Sequence, residues 1–356
     1  MRRLAVHAWT ALLALFLVLA PLEGFTAPAK GKPAAAKVKK STSSAKKRTS
    51  ARKPVASKQA TARKQVAAKK PASRTVARKA EPARPVVRVA PLPADPDKLP
   101  LKASVAYVID QESEEVLFGR NAEDVRPIAS LTKLMTGLIV AEARLPLDES
   151  LTILDEDVDR LKNSSSRLKV GTDLTRRQAL HLTLMSSENR AAHALARTYP
   201  GGKSAFVSAM NNKARQLGML HTRYVDSSGL SSRNQSSARD LAILAHAAYA
   251  QPLLRKYSTS PGYQLAVDGG RRLQYVNSNG LVRAGQWDIG LQKTGYISEA
   301  GQCLVVQTTV KGRNLIMVFL DSASKVTRIT DAELLKRWLG THGDIAGAAA
   351  GSRADS

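Results

Sequence analysis

Between residues 28 and 100 the chain is built from Ala, Lys, Arg, Pro, Ser and Thr, with scattered Val and almost no aromatic side chains. Such a stretch cannot bury enough apolar surface to offset the entropy of ordering it. Residues 26–94 hold twenty lysines and arginines against one acid, Glu81, and so carry most of the formal net charge of +26. Like charges repel along this stretch, and ten prolines from Pro28 to Pro100 stiffen it. A disordered basic linker is therefore expected over 30–100, and a folded domain has to come from the mildly basic remainder.

Ahead of the linker, Arg2 and Arg3 precede an apolar run from Leu4 to Ala20, broken only by His7 and Thr10. Small residues follow at Ala27 and Ala29. This is the pattern of a cleaved secretory signal peptide, expected at 1–29. A retained membrane anchor is the rival, but the run is short for a span and ends in Pro21 and Glu23. The linker's composition is that of nucleic-acid-binding tails, yet export removes it from the chromosome, so no nucleic-acid partner is expected. Weak affinity for anionic envelope polymers or lipid head groups is expected instead, against the alternative of a spacer with no partner. Cys303 is the only cysteine, which excludes an intramolecular disulfide; its run CLVV reads as a buried, inert thiol.

From Lys102 onward the pattern is globular. Ser104–Asp110 and Glu115–Arg120 read as a hairpin. Leu131, Leu134, Met135, Leu138 and Ile139 mark one face of an amphipathic helix that starts near Ser130, after Pro127. Thr175-Arg-Arg-Gln178 is a capping box, a further helix starts near Asn189, Ser204–Leu217 is helical, and Ser237 caps another helix. The period then changes. Tyr263–Val267, Leu273–Val276, Ile289–Tyr296, Gln302–Val310 and Leu315–Leu320 read as strands, and Thr327–Leu339 as a last helix. Strands at both ends of a helical block predict an α+β domain over 101–340, an antiparallel sheet flanked by helices with a helical insertion, followed by a disordered tail over 341–356.

Ser130 and Lys133 lie one turn apart on a single helix face, off the centre of the apolar stripe, and Gly137 on the same face leaves them uncrowded. A hydroxyl beside a neutral amine is a nucleophile beside a base, and a helix start offers N–H groups to a developing oxyanion. Alone the pair is weak: Ser43, Ser44, Ser50 and Ser322 each have a lysine three residues on, and a helix cap with a surface lysine has the same spelling. Two later motifs change this. Ser187-Glu188-Asn189 falls between two helices, and Lys293-Thr294-Gly295 falls late in a strand. Ser232-Arg-Asn234 also matches the first of these, so each is weak alone; the ordered set S-x-x-K, S-x-N, K-T-G is strong.

On these motifs residues 101–340 resemble the low-molecular-mass penicillin-binding proteins, serine D,D-peptidases with the penicillin-binding/serine β-lactamase-like fold. The stretches SSSRLKVGTDLTRRQALHLTLMSSENRAA, DSSGLSSRNQSSARDLA and GLQKTGYISEAGQCLV are similar to the D-alanyl-D-alanine endopeptidases of the penicillin-binding protein 7 type. The long basic linker departs from that type. The resemblance implies an enzyme that needs no cofactor or metal, acts on peptidoglycan peptide stems in the periplasm, loosely membrane- or wall-associated, and is acylated by β-lactams. It implies that Ser130 is the nucleophile and Lys133 its general base, with Lys293 as a second cation that lowers the Lys133 amine. Ser187 would relay protons between the two lysines. Asn189 and Thr294 would bind substrate, and Gly295 would let the backbone approach. Tyr296 N–H, with that of Ser130, would form the oxyanion hole.

Five rivals compete. A class A β-lactamase deacylates with a Glu between the last two motifs, and none lies between Glu188 and Glu299. A carboxypeptidase that trims pentapeptide stems would use the same acylation on a different leaving group. A non-enzymatic envelope-binding protein would leave the three intact motifs without a purpose. A zinc peptidase is disfavoured because no H-x-x-x-H pair occurs, and no G-x-S-x-G elbow marks a Ser-His-Asp enzyme.

Overall fold

The computed structural model describes residues 92–354 of the chain. The expected signal peptide and nearly all of the expected linker lie outside the described residues. In chain order the elements are β1 (Val105–Asp110), β2 (Val116–Arg120), β3 (Arg126–Pro127), α1 (Thr132–Glu142), β4 (Ser150–Thr152), β5 (Asp173–Thr175), α2 (Arg176–Met185), α3 (Asn189–Arg197), α4 (Gly202–Gln216), β6 (Gln235–Ser236), α5 (Ala238–Tyr249), α6 (Pro252–Ser258), β7 (Gly262–Val267), β8 (Arg271–Val276), α7 (Gly280–Ala284), β9 (Ile289–Ile297), β10 (Gly301–Val310), β11 (Arg313–Ser322) and α8 (Lys325–Ala354).

Five of the strands form one antiparallel sheet in the order β2-β1-β11-β10-β9. The first strand therefore waits for the last: Val105 pairs with Leu320 and Asp110 with Leu315. Side chains alternate across the sheet, as a period of two requires. Val105, Tyr107, Ile109, Val305 and Val318 face the helical block with α1 and α5. Ala106, Val108, Val306, Met317 and Phe319 face α8, where Leu335 and Trp338 cover them. The domain is thus a sheet between two helical layers, as the α+β reading expected. Thr175 and Gln178 close the expected capping box, and the Ser237 hydroxyl accepts from Asp240 N–H.

Three expectations are corrected. The fold begins before residue 101: Leu99 is buried, Arg120 donates to the carbonyls of Leu99 and Leu101, and Trp338 Nε1 donates to Pro93 O at 2.9 Å. The last residues of the expected linker are therefore packed against α8 and β2. Helix α8 runs to Ala354, with a break at His342 (φ −129°), through the stretch expected to be a disordered tail. Finally, α1 is not amphipathic. Thr132 to Val140 are all buried, because α2 to α6 pack around it. A helix buried all round shows no polar face to read, and its few polar residues are there for other reasons.

Candidate active site

The turn that feeds α1 is strained and held from both sides. Ala129 has φ +46°, left-handed for a residue with a Cβ, in the 3-10 turn Ala129–Leu131. Gly229 packs so tightly on this turn that a Cβ there would overlap the Ala129 carbonyl. On the other side, a Cβ on Gly295 would lie 3.1 Å from both Ile128 O and Ser130 N. The close backbone approach expected of Gly295 is therefore present, with edge strand β9 pressed against the turn. Gly137 plays a different part from the one expected. A Cβ there would meet Leu184 at 3.2 Å, so it makes room for α2 rather than for Ser130 and Lys133.

Lys133 Nζ contacts Ser130 Oγ at 2.8 Å, Asn189 Oδ1 at 2.7 Å and Ser228 O at 2.6 Å. Asn189 Oδ1 and Ser228 O can only accept, so they consume two N–H bonds of the amine. On a neutral amine the third contact then places the nitrogen lone pair on the Ser130 hydroxyl. Burial pushes Lys133 down to about 7, against the pull of Asp226, Glu188 and Asp159. Burial, more than the neighbouring cation invoked from sequence, thus supplies the neutral fraction.

Lys293, also buried, donates to Ser187 Oγ at 2.9 Å and to Thr294 O at 2.8 Å. Burial, then the charges of Lys133 and Arg328, hold it well below its ordinary value. Ser187 sits at φ +63° in the break between α2 and α3, which turns its hydroxyl toward Lys293. The expected bridge between the lysines is closed on that side only, since the Lys133 contacts go elsewhere. Asn189 was expected to face substrate. Its amide is used within the protein instead, with Oδ1 on Lys133 and Nδ2 donating to Ser164 Oγ at 2.8 Å. Thr294 Oγ1 donates to Ser278 Oγ at 2.8 Å, and Tyr296 is 59% exposed at the end of β9.

The sequence reading missed the loop that holds Lys133 from behind. Asp226 accepts from the N–H groups of Ser228, Gly229 and Ser231 and from the Ser228 hydroxyl. This fixes the Ser228 carbonyl over Lys133, and Thr136 Oγ1 donates to Ser227 O at 2.6 Å. The signal was present in the stretch DSSGL, an Asp followed by turn formers. Asn234, in the decoy S-x-N, is buried and structural: it accepts from the N–H groups of Val225 and Asp226 and donates to Thr132 Oγ1. Cys303 is buried with its thiol pushed up to about 11, the inert group expected.

A lysine-activated serine on a buried helix, with two further polar motifs converging on it and an edge strand alongside, defines the class of penicillin-recognising serine peptidases. Comparison with known proteins agrees. The family model for D-alanyl-D-alanine carboxypeptidase, peptidase family S11, matches residues 93–324, and the chain belongs to that family. It is 47% identical over 242 residues to a D-alanyl-D-alanine endopeptidase of Pseudomonas aeruginosa, covering 68% of this chain and 78% of that one. With the Escherichia coli D-alanyl-D-alanine endopeptidase it shares 41% over 237 residues, covering 66% and 76%. The structure of penicillin-binding protein D2 from Listeria monocytogenes in its ampicillin-bound form superposes with a TM-score of 0.59 at 30% identity, covering 67% of this chain and 98% of that one.

Proposed function

We propose that this chain is a serine D-alanyl-D-alanine endopeptidase that cleaves D-Ala–diaminopimelate cross-links in peptidoglycan. The observation that carries the chemistry is the contact of the Ser130 hydroxyl with a buried amine whose other two contacts are both acceptors. Ser130 Oγ attacks the D-alanyl carbonyl while its proton passes to Lys133. The tetrahedral oxyanion lies between the N–H groups of Ser130 and Tyr296, which Gly295 brings together. Collapse breaks the C–N bond, and the departing amine takes up a proton delivered from Lys133 directly or through Ser187 and Lys293. Water then hydrolyses the acyl-enzyme to restore Ser130. Asn189 holds Lys133 in place, and Thr294 lies along the strand where the substrate carboxylate runs.

β-Lactams enter by the same acylation and persist, since the sequence offers no dedicated deacylating glutamate. Residues 1–29 carry the protein to the periplasm, and the basic linker holds it near anionic envelope polymers or lipid head groups. The similarity to two proteins named endopeptidases supports a cross-link as the substrate. The family model's own name favours the second reading, a carboxypeptidase acting on pentapeptide stems. Defined muropeptides, read by mass spectrometry with Ser130→Ala as control, separate the two. Conversion of cross-linked dimers to monomers establishes the endopeptidase. Release of D-Ala with dimers untouched establishes the carboxypeptidase.

A further inference from the structure

Beside Ser187 and Asn189 opens a pocket of about 240 Å³, lined further by Ser165, Ser166, Arg167, Glu188 and Tyr275. It is mostly polar, and it holds both signs of charge. Glu188 is 9% exposed, and burial raises its carboxyl above the ordinary range. The Ser166 hydroxyl and the Arg190 backbone N–H bond it, while the Lys133 and Arg190 side-chain charges act on it only through space. Among the described residues no ion-pair contact reaches it. Tyr275, a lining residue, is 1% exposed, and its buried hydroxyl, close enough to Glu188 to feel its charge, has no hydrogen-bond partner. The Arg167 guanidinium lies over the Tyr275 ring, 4.6 Å from its centroid, and donates to Gln274 O at the rim. A buried carboxylate without a cation and a buried hydroxyl without a partner are each costly unless something completes them.

We infer that this pocket binds a free amino-acid terminus, an ammonium and a carboxylate on one carbon, at the end of the side chain that precedes the scissile D-alanine. The ammonium meets Glu188 and the Tyr275 hydroxyl. The carboxylate meets Arg167 and the flanking serine hydroxyls. The inference rests on the proposed peptidase reading and adds the determinant on the donor stem. Two diaminopimelyl residues meet at a cross-link. The one on the leaving side has its amine consumed in the scissile amide, so only the donor-stem residue still carries both free groups. Its position next to the D-alanine is within reach of a pocket that shares Ser187 and Asn189 with the catalytic cluster. Each lost charge-assisted contact is expected to lower kcat/KM about tenfold.

The test uses the purified full-length protein and cross-linked dimers whose donor stems carry meso-diaminopimelate, lysine or norleucine before the D-alanine. Lysine keeps the ammonium and lacks the carboxylate; norleucine lacks both. Acylation by benzylpenicillin is measured in parallel on the wild-type protein. The expected result is a graded kcat/KM, diaminopimelate over lysine over norleucine. Tyr275→Phe and Glu188→Gln should each shrink the diaminopimelate-to-norleucine ratio, and Arg167→Gln the diaminopimelate-to-lysine ratio. Equal rates on all three donors with normal penicillin acylation overturn the pocket assignment and leave the peptidase standing. A graded preference that survives in all three variants overturns it as well, because the selectivity then lies elsewhere. No cleavage and no acylation overturn the reading on which it rests.

Discussion

Gly295 lies against Ser130 so closely that a single added methyl group at residue 295 would come within 3.1 Å of the Ser130 amide nitrogen. The same methyl would stand 3.2 Å from the Ala129 Cβ. Strand β9 therefore sets the position of the nucleophile as well as lining the cleft. Gly295→Ala should displace the Ser130 turn by a few tenths of an ångström. Misplacement on that scale is expected to slow acylation by benzylpenicillin on the order of tenfold to a hundredfold. Stopped-flow acylation measures it; an unchanged rate would show that the turn yields without consequence.

Lys133 must be neutral to accept the Ser130 proton, and burial holds it near 7. The acylation rate should therefore rise with pH through about 7 and level off above it. Below that midpoint the ammonium predominates and the base is lost. Lys133→Ala should remove the rise together with roughly a thousandfold of rate, within the range expected of a general base. A flat profile in the wild-type protein would count against Lys133 as the base.

Asn189 and the Ser228 carbonyl hold the amine on Ser130. Asn189→Leu removes one holder and leaves the base present. The acylation rate should fall by about tenfold, the cost of one charge-assisted hydrogen bond, with the pH midpoint shifted as the amine relaxes. A lower affinity for peptide with unaltered penicillin acylation would instead place Asn189 on the substrate.

His181 sits between Tyr257 and Tyr263, with ring centroids at 4.5 Å from each. Burial, then the charge of Lys256, lowers it from 6.5 to about 4. Its folded-state value lies below the unfolded one, so the fold favours the neutral ring. That contribution is fully present above about 6.5 and is lost as pH falls toward about 4. Thermal melts should show the wild-type protein losing stability over that window, and His181→Phe should flatten the loss. Parallel melting curves for the two would refute it.

Trp338 is buried under the sheet and donates its indole N–H to Pro93 O. Trp338→Ala should destabilise the domain by about 3–5 kcal/mol, the range for a large aromatic removed from a core. Deleting residues through 94 should cost part of the same energy, because the chain before residue 101 is packed there. Urea denaturation of the two variants tests both statements.

Signals confined to one segment were legible in the sequence. The capping box at Thr175 and the N-cap at Ser237 mark helix starts through bonds within one turn. The strands from β7 to β11 show their period directly, and the three motifs fall on the elements expected of them. What was illegible depends on neighbours distant in sequence. The burial of α1 comes from α2 to α6, helices that all lie well beyond its own end in the chain, and no pattern within Thr132–Glu142 records them. The role of Gly137 is likewise written in Leu184 and Leu254. Strands β3 and β6 are two residues each, shorter than any periodicity can reveal. The stretch DSSGL marks the Asp226 loop as a turn, but the Ser228 carbonyl on Lys133 is a backbone contact that side-chain reasoning cannot find.

The pairing of β1 with β11 has a consequence for how the protein comes into being. A strand near residue 105 finds its central partner only when residues near 320 are available. The same holds for the active site, where residues 130, 187, 228 and 293 must meet. Such long sequence separations close slowly and late. During synthesis β1 therefore lacks its central partner until the C-terminal strands have been made, and the catalytic cluster cannot close before Lys293 is present. A truncated chain that stops before β11 should then be inactive and prone to aggregate, since β1 and its apolar neighbours would stay uncovered.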